Sequence, residues 1–246
     1  MLMLAAGLFF TSCKGGKGPA GPDGSAGPAG PDGSNGSLLL IFQQGISPTT
    51  AYTGSTDTYI SSGSPSFNFY DYNYGSSTGA TVGTAGTLGI NRMLIKFDLS
   101  NYLPPNAIIT KASLTLRCHY TNFSGTADSN TITAYRATQS WMEGNATGQI
   151  AAGATWLTDG INPWTGGSFD IAAGQSVFCS AANLNHYVVF PINPGIIQSW
   201  VDDPSQNNGL LLKGDNEDTS IYDSISFYTK ENIVFAPVLK IYYNIN

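Results

Sequence analysis

The chain has 246 residues, a formal net charge of −6 and only 11% charged residues. Its ten Lys and Arg residues are scattered, so no basic patch is present for nucleic acid or for an anionic lipid surface. We therefore do not expect the protein to bind nucleic acid or to attach to a membrane through a polybasic patch.

The N-terminal segment MLMLAAGLFFTSC is an apolar run that closes on small residues and Cys13. Such a run is typical of a secretory signal and is too short to span a bilayer as a helix. It resembles the lipobox of bacterial lipoproteins, in which the cysteine becomes the lipidated first residue. We therefore predict a lipoprotein signal peptide over residues 1–12 and a lipid on Cys13, with the protein held at the bacterial outer membrane or cell surface.

Glycine then recurs at every third position from Gly15 to Gly36, and proline directly follows four of these glycines. Collagen chains need this register because only glycine fits at the axis of a triple helix. Residues 13–37 are therefore predicted to be a collagen-like Gly-X-Y stalk that holds the rest of the chain away from a membrane. The sequence leaves open whether this tract is a trimeric triple helix or an extended, solvated spacer.

Residues 38–246 are long enough for one sizeable β domain, and many of their segments alternate between apolar and polar residues. The segments NRMLIKFDLS and ASLTLRCHY show this alternation most clearly. The residues that they are predicted to point into the core are Met93, Ile95, Phe97, Leu99, Leu114, Leu116, Cys118 and Tyr120. The predicted fold class is all-β, a two-sheet antiparallel β-sandwich of jelly-roll type with one short helix.

The short helix is predicted within INPGIIQSWVDDP. Asn193 can cap its start, Pro194 suits the first helical position, and Pro204 lies just beyond its end. Trp200 belongs to the apolar stripe of this helix and is expected to lie in the core.

The segment FNFYDYNYG concentrates aromatic rings among amide and carboxylate groups. In extended backbone, Tyr70, Tyr72 and Tyr74 would face one way. Sugar recognition uses such surfaces, because ring faces stack on apolar sugar faces while polar groups bond hydroxyls. Trp164, in the glycine-rich GINPWTGGSF, is expected to be the most exposed tryptophan. These four residues are the carbohydrate-binding candidates, and the alternative is that one side of the aromatic segment fills the sandwich.

The acidic segment GDNEDTSIYD gathers Asp215, Glu217 and Asp218 in one turn. Hard oxygen ligands on a loop suit Ca²⁺, so these residues are a candidate site for a structural calcium ion. Their spacing does not match an EF-hand, and the alternative is a solvated acidic turn. No other cofactor is expected.

Two cysteines remain once Cys13 is assigned to lipid, and export would place them where disulfides persist. Cys118 and Cys179 both lie in apolar, strand-like segments and are predicted to point into the sandwich. They form either a disulfide or two separate buried thiols, because the sequence does not give the distance between their Cα atoms.

The order of several segments resembles the DNRLRE (disaggregatase-related) domain, a β-sandwich of bacterial and archaeal surface proteins. The similar segments are DTYI, NYGSS, NRMLIKFDLS with LPPNAIITKASLTL, YRATQSWMEG, ATW, WTGG, WVDDPSQNNGLLL and APVLKIYY. The resemblance implies a non-catalytic module, often attached to polysaccharide-degrading enzymes, and a related family that binds anionic polysaccharide through basic residues. Because this domain is acidic, we expect a neutral glycan rather than an acidic one.

Catalytic motifs are missing from the sequence, which has no Gly-x-Ser-x-Gly elbow, metal-binding histidine pair or phosphate loop. Glu143 and Asp159 are conceivable as an acid pair for glycoside hydrolysis. Glu143, however, lies in SWMEG and is more simply interpreted as the acceptor of a loop-fixing hydrogen bond. The chain is therefore expected not to be an enzyme.

Two classes of function remain. In the first, the protein is a surface lectin or adhesin whose sandwich binds glycan and whose stalk presents it. In the second, it is a structural surface protein that self-assembles into a trimeric head or fibre without a small ligand. An exposed aromatic platform would favour the first class, and a large apolar flank the second.

Overall fold

Antiparallel strands dominate the part of the chain that the computed structural model describes, which comprises residues 37–64, 66, 68–124, 128–144, 147–149 and 153–245. These residues belong to one unit, Asn35–Asn246. The predicted signal peptide, Cys13 and the Gly-X-Y stalk lie outside the described residues. Within them, no helix combines the length and the apolar character needed to cross a membrane.

The described residues contain thirteen strands and one α-helix. The strands are β1 (Leu38–Gln43), β2 (Ser55–Ser61), β3 (Tyr72–Tyr74), β4 (Gly79–Ala85), β5 (Ile90–Phe97), β6 (Ala107–Phe123), β7 (Ser129–Ala137), β8 (Thr147–Gln149), β9 (Phe169–Ser180), β10 (Tyr187–Ile192), β11 (Leu210–Gly214), β12 (Tyr222–Tyr228) and β13 (Val238–Ile245). The helix is α1 (Pro194–Asp202).

Eleven of these strands form one curled antiparallel sheet with the order β1-β13-β6-β12-β4-β5-β11-β7-β9, in which β10 also pairs with β6 and β2 with β5. The long strand β6 joins the two layers, because its first part pairs with β13 and β10 and its last part pairs with β12. Strands β3 and β8 form a separate two-stranded ribbon. The predicted all-β sandwich is confirmed.

The core residues predicted from the two clearest strands lie in one buried cluster, with the exception of Tyr120. Tyr120 is 52% exposed, so its predicted inward orientation is wrong. The reason is a register shift, since Ser226 lies opposite Tyr120 whereas the next residue, Phe227, lies opposite Cys118. A bulge adds one residue to β6 at this point, and the residues after it change faces.

Helix α1 forms as predicted. The Asn193 side chain accepts a hydrogen bond from the Gly195 N–H at 2.9 Å, and Pro194 occupies the first turn. Ile196, Ile197 and Trp200 are buried in the main cluster, which confirms the predicted apolar stripe.

A second apolar cluster lies on the opposite face of β5. Leu94 and Leu211 are fully buried there, although both side chains point away from the main core. The segment after β7 covers them with Trp141 and Trp164. This layer is therefore covered on both faces, which the simple alternation of apolar and polar residues did not predict.

The cysteines Cys118 and Cys179 are free thiols, both fully buried in the main cluster. Each thiol is directed at a carbonyl of its own strand, the Cys118 Sγ at Tyr120 O (3.5 Å) and the Cys179 Sγ at Val177 O (3.8 Å). The structure therefore has the second of the two alternatives, two buried thiols. Burial raises the pKa of Cys118 and raises that of Cys179 to about 12, so both act as small apolar side chains.

We expect both thiols to be found free in the purified protein. Alkylation in denaturant without a reductant, followed by peptide mass spectrometry, should show the alkyl group on Cys118 and on Cys179. The native protein should react far more slowly, because burial disfavours the reactive thiolate. A linked Cys118–Cys179 peptide that separates on reduction would contradict this result.

Candidate functional site

A groove of about 420 Å³ is lined by residues of β2, β3, β4, β5, β6 and β12, and we call it the tyrosine groove. Its principal aromatic residues are Tyr59, Phe69, Tyr74, Tyr120 and Tyr222. Its polar residues are Ser61, Thr81, Asn91, Asn122, Ser224 and Ser226. The side chains that line it carry hydroxyl, amide and aromatic groups and no carboxylate or ammonium group.

Strand alternation places the polar side chains in the tyrosine groove. In β12, Ile225 and Phe227 point into the main core, so Ser224 and Ser226 point the other way. The Ser226 hydroxyl lies 2.8 Å from the Thr81 hydroxyl on β4. Both serines are buried, so hydroxyl groups occupy the deep part of the groove.

The β6 bulge supplies the groove with a tyrosine. Because the register changes after Cys118, Tyr120 and Asn122 line the groove instead of entering the core. Tyr120 is 52% exposed, and Tyr222 on the neighbouring strand is 37% exposed. Two accessible rings thus stand beside the buried hydroxyls, which is the combination that sugar binding needs.

A second pair of rings lies on the β2 and β3 side of the groove. Tyr59 and Tyr74 stack with ring centroids 3.9 Å apart. Burial, together with the nearby Tyr74, raises the pKa of Tyr59, and burial raises the pKa of Tyr74 to about 12. Both phenols are therefore neutral at physiological pH and offer hydroxyl groups, not charges.

The aromatic segment FNFYDYNYG contributes only in part to the groove. Tyr74 and Phe69 line it, and Tyr72 lies beside Tyr74 with ring centroids 6.2 Å apart. Tyr70 lies in a 3-10 turn, Phe69–Asp71, so the extended backbone that would align it with Tyr72 and Tyr74 is not present there. The backbone carbonyl of Tyr70 accepts a hydrogen bond from the backbone N–H of Trp156, which joins this turn to the tryptophan-containing segment after β7.

The predicted exposure of Trp164 is wrong. The side chain is 8% exposed, and its indole N–H donates to the Thr155 carbonyl at 2.7 Å. Its ring packs with Leu94 and Leu211 in the second cluster, because these apolar side chains need a cover on that face of the sheet. Trp164 is therefore not available as a stacking platform.

The carboxylates of the acidic turn are bound to other groups of the protein. Both carboxylate oxygens of Glu217 accept hydrogen bonds from the Arg92 guanidinium, at 2.8 and 2.7 Å. Asp215 accepts from the Thr133 hydroxyl, and Asp218 accepts from the Ser220 N–H. The three carboxylates are held by separate partners and do not belong to the group of described acidic residues whose oxygens lie close enough to share an ion, so the structure gives no support to the candidate calcium site at this turn.

The acid pair considered for hydrolysis is also bound to other groups. Although burial acts to raise the pKa of Asp159, hydrogen bonds from Asn162, Gln139 and Ile161 lower it. A glycosidase acid needs a raised pKa, so Asp159 does not fit that role. Glu143 accepts the Asp57 N–H at 2.7 Å, which confirms the predicted loop-fixing hydrogen bond.

A different carboxylate cluster appears in the structure. Oxygens of Asp57, Glu143 and Glu231 lie within 4.8 Å of one another. Burial first, and the nearby charge of Glu231 second, raise the pKa of Asp57. The sequence gives no signal for this cluster, because the three residues belong to distant parts of the chain.

Comparison with known families indicates a binding function. Residues 48–160 match the model of carbohydrate-binding module family 96. The match covers just under half of the chain and includes the groove residues of β2 to β6, whereas Tyr222, Ser224 and Ser226 lie beyond it. No curated protein matches the chain. The match suggests a carbohydrate-binding module.

The sequence patterns did not identify Tyr120 and Tyr222 as groove residues. Tyr120 was assigned to the core because a bulge cannot be read from alternation alone. For Tyr222 a signal existed, since YDSISF alternates polar and apolar residues and places this ring on the polar side.

Proposed function

We propose that this protein is a non-catalytic surface lectin that binds a neutral polysaccharide or surface glycan in the tyrosine groove. The single observation that carries the proposal is a groove with accessible tyrosine rings and buried hydroxyls but no charged side chain. The family match over residues 48–160 supports carbohydrate as the ligand class.

The chemistry of the groove favours a neutral sugar. Tyr120 and Tyr222 offer apolar ring faces, and Asn122 offers both a donor and an acceptor for sugar hydroxyls. An acidic polysaccharide would need a cation beside its carboxylate or sulfate groups, and the lining of the groove supplies none.

The N-terminal sequence supports presentation of this lectin at the cell surface. In this proposal, residues 1–12 direct export, Cys13 carries the lipid, and residues 13–37 are the stalk for a DNRLRE-like sandwich over residues 38–246. The protein would then be an adhesin, anchored in the bacterial outer membrane, whose partner is a glycan and not a nucleic acid.

A second candidate function is self-assembly into a trimeric head or fibre. It is favoured by exposed apolar side chains on β9 and β10, two edge strands that each pair with a single neighbour, β9 with β7 and β10 with β6. Phe178 is 67% exposed, Ile171 is 77% exposed, and Tyr187 and Val189 are each just over half exposed. Such side chains on edge strands are suited to contact another copy of the chain.

Binding to an array of neutral and acidic glycans tests the lectin proposal. Tyr120→Ala and Tyr222→Ala should each weaken binding to the best neutral glycan by roughly 2- to 10-fold, the range expected for one stacking ring. Thermal stability should change little, because both rings are largely outside the core.

Phe178→Ala is the matched control, since it removes an exposed ring outside the groove and should leave glycan binding unchanged. Equal weakening by the control, or full binding by both groove variants, would contradict the proposal. A concentration-dependent trimer without glycan binding would favour self-assembly instead.

A further inference from the structure

Three segments meet at the carboxylate cluster described above. Asp57 lies on β2, Glu143 follows β7, and Glu231 follows β12. The Asp57 N–H donates to Glu143, and Asp57 Oδ2 accepts from the Lys230 N–H at 2.9 Å. The cluster is thus a fixed meeting point of backbone and side chains and not a mobile acidic surface.

Two oxygens of this cluster have no hydrogen-bond partner. They are Asp57 Oδ1 and Glu231 Oε2, and both are buried. The whole Asp57 residue is only 1% exposed, so solvent does not reach its free oxygen. Buried carboxylate oxygens are unfavourable unless they are protonated or bind a donor or a cation, and two such oxygens without partners lie in this one cluster.

Lys230 balances only part of the negative charge. Its ammonium group lies 3.3 Å from Glu143 Oε1 and 2.6 Å from Glu231 Oε1. When all three carboxyl groups are ionised, they and the Lys230 ammonium group together carry two negative charges, which is the charge that one divalent cation compensates. Lys230 also contacts different oxygens from the two that lack partners.

The separation of the oxygens fits a single calcium ion. Oxygen ligands lie about 2.3 to 2.6 Å from Ca²⁺, so two ligands of one ion are at most about 4.6 to 5.2 Å apart. The three carboxylates fall within 4.8 Å of one another. The cluster contains no histidine or cysteine, so it has none of the nitrogen or sulfur ligands that zinc favours.

We infer that Asp57, Glu143 and Glu231 form a Ca²⁺ site, with Asp57 Oδ1 and Glu231 Oε2 as two of the ligands. The ion would tie β2 to the segment after β7, which carries the tryptophans, and to the turn after β12. This site is separate from the groove residues, so its existence does not depend on the proposed lectin function.

The test uses the full chain, treated with EDTA and then freed of chelator. Adding Ca²⁺ to about 100 times its dissociation constant should raise the melting temperature by roughly 5 to 10 °C, because an ion that binds only the folded chain stabilises it. Tb³⁺ should bind with sensitised emission, since Trp141 lies two residues before Glu143, and Ca²⁺ should displace it.

Asp57→Asn keeps the size of the side chain but removes one ligand charge, and it should abolish the calcium-dependent shift. Glu231→Gln is a second variant, so that the result does not depend on the folding of Asp57→Asn alone. Asp218→Asn is the matched control, because it removes a carboxylate from the acidic turn and should retain the full shift. The inference is overturned if the wild-type melting temperature does not respond to Ca²⁺, or if the shift persists in both cluster variants.

Discussion

Replacing Trp164 with alanine is expected to lower the free energy of unfolding by about 3 to 5 kcal/mol. The ring is buried against Leu94 and Leu211 on the outer side of the sheet. Its removal would leave a cavity there and would also leave the Thr155 carbonyl without the indole donor. Equilibrium unfolding in urea, followed by tyrosine and tryptophan fluorescence and by circular dichroism, measures the change.

Tyr222→Ala is the comparison for this prediction, because it removes a ring that is 37% exposed and should have a much smaller effect on stability. Trp164→Phe should fall between the two, since it keeps part of the apolar contact but loses the N–H donor and some of the ring volume. If Trp164→Ala unfolds at the wild-type urea concentration, then the tryptophan-rich segment does not cover the sheet in solution.

Replacing Glu217 with glutamine is expected to lower the free energy of unfolding by about 2 to 4 kcal/mol. Glu217 receives two hydrogen bonds from the Arg92 guanidinium, and these side chains are only 18% and 12% exposed. The variant would leave the positive charge of Arg92 largely buried beside Trp156, whose ring centroid is 4.8 Å away. Chemical denaturation at two salt concentrations measures the loss.

The pair Arg136–Asp170 provides a matched control. These side chains are about one-third exposed and lie 3.3 Å apart in a single contact. Asp170→Asn should therefore cost no more than about 1 kcal/mol, and high salt should reduce that cost. Similar losses in the two variants would show that the Arg92–Glu217 pair is as well solvated as the surface pair.

The sequence predicted the features that depend on near neighbours along the chain. Alternation in β5 identified Met93, Ile95 and Phe97 as core residues, because each strand residue reverses the direction of the one before it. The capping of α1 by Asn193 was predicted for the same reason, since the donor and the acceptor are two residues apart.

The features that were missed depend on contacts between distant segments. Trp164 was expected to be exposed because its glycine-rich surroundings resemble a surface loop, yet Gly166 and Gly167 adopt φ values of +70° and +87° that allow the chain to lie against the sheet. A Cβ atom on Gly167 would clash with Leu211 Cδ1. Such a fit between a loop and a strand far along the chain cannot be read from local composition.

The candidate site also combines residues from one local segment with residues from distant segments. FNFYDYNYG contributes Phe69 and Tyr74 to the groove, but the groove is also lined by residues of β6 and β12, which lie far along the chain. The carboxylate cluster has no local pattern at all, because Asp57, Glu143 and Glu231 meet only when three segments are brought together.

Because side chains alternate along β12, the residues that line the groove are different from those that pack in the core. Ile225 and Phe227 belong to the core, whereas Ser224 and Ser226 face the groove, so the two sets of side chains can vary separately. In the proposed lectin, exchanging a groove serine for threonine or asparagine would change the lining of the groove while the core residues of β12 stay the same. A few such substitutions would then alter the sugar preference of the proposed lectin on an unchanged set of strands.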